Sequence, residues 1–287
     1  MTGPATTVWC ASFPKSGNTW LRALVSGVVG DGSVRLDRLP GNGVDNDQRT
    51  IFREFGLSPS LLDDRLADDL MGEAGAALAT RSSGWVFRKT HNAFVPSRRA
   101  KGASHVLATP CRAVHVVRDP RAVAVSLAHH MGTSQEDAVV TLSQGPRIGL
   151  AGHDDRYPTR SCRVAFAWGS WSDNVRSWTE QDEVPTLLIR YEDLLADPAT
   201  RLAALTGWLG IPVPPDRIER AVSEASFANL AAQEIVAGFS EASAPDRPFF
   251  RRGEAEAWRD ELAPGLAERI VSDHGDVMAR MGYSTAG

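Results

Sequence analysis

Lysine is nearly missing from this chain. Only Lys15, Lys89 and Lys101 occur among 287 residues, and arginine carries almost all the remaining basic charge. A compact ammonium and a planar guanidinium are not interchangeable, so each lysine marks a place to examine. Cysteine is equally sparse. Cys10, Cys111 and Cys162 are far apart, odd in number and without metal-type spacing. That argues against a disulfide framework and a cysteine metal site, and reads as reduced, buried thiols in a cytoplasmic protein. A positive net charge is lacking too: the formal charge is -4. The balance argues against a general binder of nucleic acid or membrane surface, while leaving room for a local basic pocket. No apolar run is long enough to anchor the chain across a bilayer. The opening MTGPATT has neither the basic start nor the apolar core of a signal peptide. No internal repeat stands out, and no Pro/Gly/Ser-rich or highly charged linker divides the chain. The expectation is one domain over residues 1–287.

Apolar patterning supplies the framework. Residues 7–12 read as a buried strand and 18–29 as a helix, with Trp20, Leu21, Leu24, Val25 and Val28 on one face. Residues 85–89, 113–117 and 185–190 read as further strands. Asp119-Pro120 has the form of an N-cap and first helical residue, opening a helix to about Met131. Helices are expected at 61–80, 161–179, 198–209, 216–226 and 263–281, the 198–209 helix ending at Gly210. In the 161–179 segment Val164, Trp168, Trp171, Val175 and Trp178 form a stripe that reads as core. Residues 30–62, 132–158 and 237–250 read as irregular insertions. Strands alternating with helices imply an α/β fold: a mostly parallel sheet with helices on both faces and a ligand at the strands' carboxyl ends.

The stretch after the first strand, SFPKSGNTW, has the outline of a phosphate-gripping loop. Backbone N–H groups at a helix start, aided by the helix dipole, favour an anion. Gly17 permits close approach, Asn18 and Thr19 offer side-chain donors, and Lys15 offers a full charge. The usual ATP-binding order of glycine, four residues, glycine and lysine is missing, as is an obvious metal carboxylate. An anion other than a magnesium triphosphate fits better.

SFPKSGNTW resembles the 5′-phosphosulfate loop of sulfotransferases that use 3′-phosphoadenosine 5′-phosphosulfate (PAPS). Asn18 stands where that family often has threonine. Other marks follow in the family's order. VVRDPRAVAVS is similar to its 3′-phosphate segment, which implies that Arg118 and Ser126 grip that phosphate. RKTHNAFVP resembles its K-T-H segment, which implies His91 as catalytic base and Lys89 beside the sulfonate. RYEDLLADP is similar to the family's Y-E-D segment, which implies Tyr191 near adenine. ASFANL resembles the family's S-F-x-x-M element, which implies that Phe227 stacks on the base opposite Trp20 and that Ser226 bonds to it. FFRRGEAEAW is similar to the element that closes over the 3′-phosphate, matching at Arg251, Arg252, Gly253 and Trp258 and departing at Glu256 and Ala257.

The resemblance implies a PAPS-dependent O-sulfotransferase with adenosine 3′,5′-bisphosphate (PAP) as product, no metal, and a small hydroxylated acceptor. Lys15, Lys89 and His91 would do the chemistry. Lys15, Ser16, Gly17, Asn18, Thr19 and Trp20 would hold the 5′ end. His105, His115, His129, His130, His153 and His274 have no such context and read as structural. The K-x-x-x-T-V-x-x-x-E dimer motif that some members carry is missing, so no dimer motif supports a homodimer and the oligomeric state is left open. The competing readings are a kinase or NTPase with an atypical loop, and a non-catalytic nucleotide-binding module.

Overall fold

The computed structural model describes residues 6–41, 84–95, 110–145, 168–244 and 246–285, with residues 54–57, 70, 73, 74 and 77 between them. Most of the helix expected at 61–80, and Lys101, His105, His153, Cys162 and Val164, lie outside the described residues. The order is β1 (Thr6–Ser12), α1 (Asn18–Val29), a 3₁₀ turn (Leu36–Arg38), β2 (Trp85–Thr90), β3 (Cys111–Val117), α2 (Pro120–Met131), α3 (Gln135–Gln144) and α4 (Trp171–Thr179). There follow β4 (Thr186–Arg190), α5 (Tyr191–Ala196), α6 (Pro198–Leu209), α7 (Pro215–Glu224), α8 (Phe227–Ala237), α9 (Trp258–Glu261) and α10 (Pro264–Arg280).

The four strands form one parallel sheet in the order β2-β1-β3-β4. Alternation along β1 explains the layers. Val8 and Cys10 pack under α1, α6 and α7, beside Leu21, Leu24, Leu202, Leu205 and Ala221. Trp9 and Ala11 point the other way, against Phe94 and Trp178. That side continues into α2, α3, α4 and α10 through Val123, Leu142, Trp171, Val175 and Ile270. A sheet buried on both faces needs nearly continuous apolar strands, which TVWCA and AVHVV supply.

Register sets the site. Ala11 pairs with Thr90, Ser12 with Val116, and Val117 with Arg190. All four strands therefore end at one edge, and the segments after them leave from that edge. The chain steps from β1 to β2 on one side and returns to β3 on the other, which makes β1–β3 the switch point where α/β proteins bind ligands.

Two expectations change. The stretch 132–158 is not wholly irregular: α3 occupies Gln135–Gln144, started by Ser134, whose hydroxyl accepts from Asp137 N at 3.0 Å. Its apolar positions, Ala138, Val139 and Leu142, are too few to stand out in a polar segment. The helix expected at 161–179 begins only at Trp171 within the described residues. Gly169 has φ +66°, and Ser170 with Asp173 forms a capping box, so Trp168 precedes the helix.

Candidate active site

The loop after β1 is held from within. Asn18 Nδ2 donates to Cys10 O (2.7 Å) and Ser12 Oγ (3.3 Å), so its amide ties helix start to strand end. The first intrahelical bond runs from Leu21 N to Gly17 O (3.0 Å), leaving the N–H groups just before Leu21 outside the ladder. Lys15 is the one non-glycine at positive φ among the described residues, at φ +66°. A left-handed lysine costs about 1–2 kcal/mol, a strain typical of functional loops. Gly17 is required twice over. Its φ is +104°, and a Cβ there would lie 2.6 Å from Tyr191 Cδ2.

Four side chains meet at the mouth of this loop. Glu241, from the segment after α8, accepts from Arg22 Nη1 (2.7 Å), Lys89 Nζ (2.9 Å) and Thr19 Oγ1 (3.1 Å). Arg22, Lys89 and Thr19 are all buried. The two cations hold the Glu241 carboxyl far below the usual range, against the opposing effect of its burial. Arg22 also donates to Pro40 O at 2.7 Å. Lys15 Nζ lies 3.6 Å from the Phe249 ring centre. Burial, with Lys89 and Arg118 nearby, pushes the Lys15 ammonium down to about 7.

His91 follows β2 directly. Its Nδ1 is 2.9 Å from Ser12 O and 3.2 Å from Ser12 Oγ. A carbonyl only accepts, so Nδ1 carries the proton and Nε2 keeps its lone pair. Desolvation, then Lys89, pushes the imidazole down to about 3, so it is neutral at pH 7. A neutral imidazole with Nε2 free is the form a general base needs.

A second group gathers around Tyr191. Arg118 Cζ lies 4.3 Å over its ring, and Trp20 meets it edge-on at 5.8 Å. Arg118 donates to Lys15 O (3.3 Å) and Glu254 O (3.0 Å), linking the first loop to the 251–258 segment. Trp20 Nε1 donates to Ala225 O (2.9 Å), next to Ser226, the N-cap of α8, and Phe227, its first residue. Gly253, at φ +72°, lies against Phe227: a Cβ there would be 2.5 Å from the ring. Arg251 and Arg252 both pair with Glu261, and Arg252 also with Glu254. Ser126 is half-buried within α2.

The structure thus brings Lys15, Ser16, Gly17, Thr19, Trp20, Lys89, His91, Arg118 and Tyr191 together at one sheet edge, with Ser226, Phe227 and Gly253 along its rim. Sequence reading missed Arg22, Glu241 and Ser12. Arg22 lies within the helix after the loop, and Glu241 is more than two hundred residues away from it in sequence. The site suits a large anion. Ser16 Oγ and Arg118 Nε are buried without a hydrogen-bond partner among the described residues, and a carboxylate already satisfies Thr19, Arg22 and Lys89. Among the described residues no cluster of acidic, histidine and cysteine side chains is arranged for a metal.

A parallel α/β sheet with a strand–loop–helix suited to an anion and a neutral histidine beside it is an arrangement compatible with group transfer from an anionic donor. The sulfotransferase domain model matches residues 5–282, and the chain belongs to that family. It is 26% identical to cytosolic sulfotransferase 13 of Arabidopsis thaliana over 269 residues, covering 91% of this chain and 73% of the relative. It is 28% identical to cytosolic sulfotransferase 7 of the same plant (93% and 76% covered) and 23% identical to mouse sulfotransferase 1B1 (90% and 78%). In fold it resembles mouse sulfotransferase SULT7A1, solved with PAP, at TM-score 0.59 and 20% identity, covering 97% of this chain and 86% of that one. A retinol dehydratase solved with retinol and PAP gives 0.60 and 20%, with 97% and 82% covered. The activity is therefore transfer of a sulfonate group from PAPS, and the kinase and NTPase readings fall away.

Proposed function

We propose that this enzyme transfers the PAPS sulfonate to a hydroxyl of a small acceptor, with His91 as general base. The observation that carries this reading is the meeting of Thr19, Arg22 and Lys89 on one carboxylate beside a neutral imidazole. Those donors suit the anionic end of PAPS, which exchanges for Glu241. When bound, PAPS supplies an electrophilic sulfur and a stable leaving group, PAP.

The chain's own residues do the rest. His91 Nε2 takes the acceptor's hydroxyl proton as the oxygen–sulfur bond forms. Lys89 balances charge on the sulfonate oxygens. The bond from sulfur to the bridging oxygen of the 5′-phosphate breaks, and its electron pair stays with PAP. Lys15 offsets that growing charge, and the helix-start N–H groups with Ser16 and Thr19 hold the phosphate. A nearby anion raises the Lys15 pKa from about 7, so nucleotide binding is expected to take up a proton near neutral pH. Arg118 and Ser126, with Arg251, Arg252 and Gly253, hold the 3′-phosphate, a role that a guanidinium fills through paired bonds. Trp20, Tyr191, Ser226 and Phe227 frame the adenine.

We read these parts as one domain over 1–287; of the segments expected to wall the acceptor pocket (30–62, 132–158 and 237–250), most of 42–62 and all of 146–158 lie outside the described residues. A cytoplasmic location agrees with the relatives' names, and no described helix is long and apolar enough to cross a membrane. The test is His91→Ala. PAP affinity should hold within about twofold while turnover drops about 10²–10⁴-fold, the usual range for a lost base. Near-normal turnover would remove His91 from the mechanism.

A further inference from the structure

His91 is the first residue beyond β2, where a loop could let it drift. Helix α4 prevents this. Asn174 Nδ2 donates to His91 O at 3.0 Å and to Trp168 O at 2.9 Å. Trp178 Nε1 donates to Asn92 O at 3.0 Å. Ser177 Oγ accepts from Phe94 N at 2.9 Å and donates to Asn174 O at 2.7 Å. One helix face thus grips the backbone at residues 91, 92 and 94. From the opposite side, Ser12 O accepts from the imidazole Nδ1–H.

Asn174 is fully buried, and so is its other partner, His115 of β3. Asn174 Oδ1 lies 3.3 Å from His115 Nε2, and the imidazole stacks on Trp178 with ring centres 6.4 Å apart. Because Oδ1 only accepts, His115 carries its proton on Nε2. That bond orients the Asn174 amide, leaving both N–H groups for the two carbonyls. Each contact serves the next: the strand histidine orients the asparagine, and the asparagine fixes the carbonyl of His91. The capping box at Ser170 and Asp173 fixes where α4 begins, so the register of this face is set locally.

We propose that α4 is the positioning element for the catalytic base, acting through Asn174 with Ser177 and Trp178. The proposal rests on His91 being that base. None of the three touches the reacting atoms. They set where Nε2 stands, and proton transfer loses about 10²-fold for a misplacement near 1 Å.

The test is a mutant cycle on the full chain with PAPS and an acceptor, reading kcat and PAP affinity separately. Asn174→Ala is expected to lower kcat about 10–100-fold. Ser177→Ala and Trp178→Phe, which keep most of the packing, should lower it about 3–10-fold, all with PAP affinity within about twofold. Added to His91→Ala, each should cost nothing further, because a positioning residue has nothing left to position. Should Asn174→Ala fail to fold, the two milder variants decide. If the losses are as large in the His91→Ala background as in the parent, or if kcat is unchanged, α4 is merely structural and the proposal fails. If His91→Ala itself keeps its turnover, the base assignment fails first and the clamp with it.

Discussion

The two ends proposed for the nucleotide site are built differently. The 5′ end is made of backbone and buried side chains: the left-handed Lys15, Gly17 pressed on Tyr191, Asn18 tied to the strand end, and Thr19, Arg22 and Lys89 around Glu241. The proposed 3′ end relies on Arg251 and Arg252, long side chains nearer the rim that share Glu261, with Arg252 also on Glu254. Arg118 bridges the two through Lys15 O and Glu254 O. Each end thus meets internal carboxylates that are themselves partly exposed, and the contrast lies in the cations: Arg22 and Lys89 are buried, whereas Arg251 and Arg252 are partly exposed. A desolvated charge pair is costly to break into single charges, whereas an exposed pair is worth little. The 5′ end should therefore set affinity steeply and independently of salt, and the 3′ end should adjust it gently.

Breaking the stiff end has the largest expected effect. Gly17→Ala places a side chain in a strained conformation and against the Tyr191 ring. PAP affinity should fall about 30-fold or more, given 1.4 kcal/mol per tenfold and at least 2 kcal/mol of strain and overlap. Calorimetric titration checks it, and affinity within threefold of the parent would show that the loop is softer than described. The two carboxylates come next. Glu241→Gln removes the anion that competes at the 5′ seat and should tighten PAP binding about tenfold, while Glu261→Gln should tighten it about twofold, an effect that fades at high salt. Equal effects of the two substitutions would erase the distinction between the ends.

The last prediction concerns pH and global stability rather than nucleotide affinity. Burial pushes His115 and His274 down to about 4, and desolvation with Lys89 pushes His91 to about 3. The unfolded chain binds those protons below about 6.5, and the folded chain does not until about 4 or lower. Stability is therefore greatest above pH 6.5 and declines as the pH falls toward 4. Thermal unfolding should show Tm several degrees lower at pH 5 than at pH 7, with the slope reduced in His115→Gln. A flat profile would mean that these imidazoles are not held neutral.

Much of this was legible in the residues because it is local. The strand–loop–helix of 7–29, the Asp119-Pro120 helix start and the Gly210 stop each carry their signal within a few positions, and each falls where expected. The Trp171 and Trp178 stripe was read as core, and both rings are buried. What the chain hid is what the fold brings together from afar. Nothing near Glu241 announces that it meets Arg22, Lys89 and Thr19, and nothing near Asn174 announces that it holds His91. Trp178 packs in the core and also donates to Asn92 O, a second task that helical spacing cannot reveal. Helix α3 was missed for a different reason: its three buried side chains are too few to outweigh its polar surface.

The central claim is that one cleft recognises a nucleotide carrying both a 5′- and a 3′-phosphate, with Arg118 between them. Titrating PAP and ADP into the parent and into Arg118→Ala tests it most directly. PAP should bind the parent at least about tenfold more tightly than ADP, since a lost charged partner costs about 1.5–3 kcal/mol, and most of that preference should vanish in the variant. Equal affinities for PAP and ADP in the parent, or a preference untouched by Arg118→Ala, would contradict it.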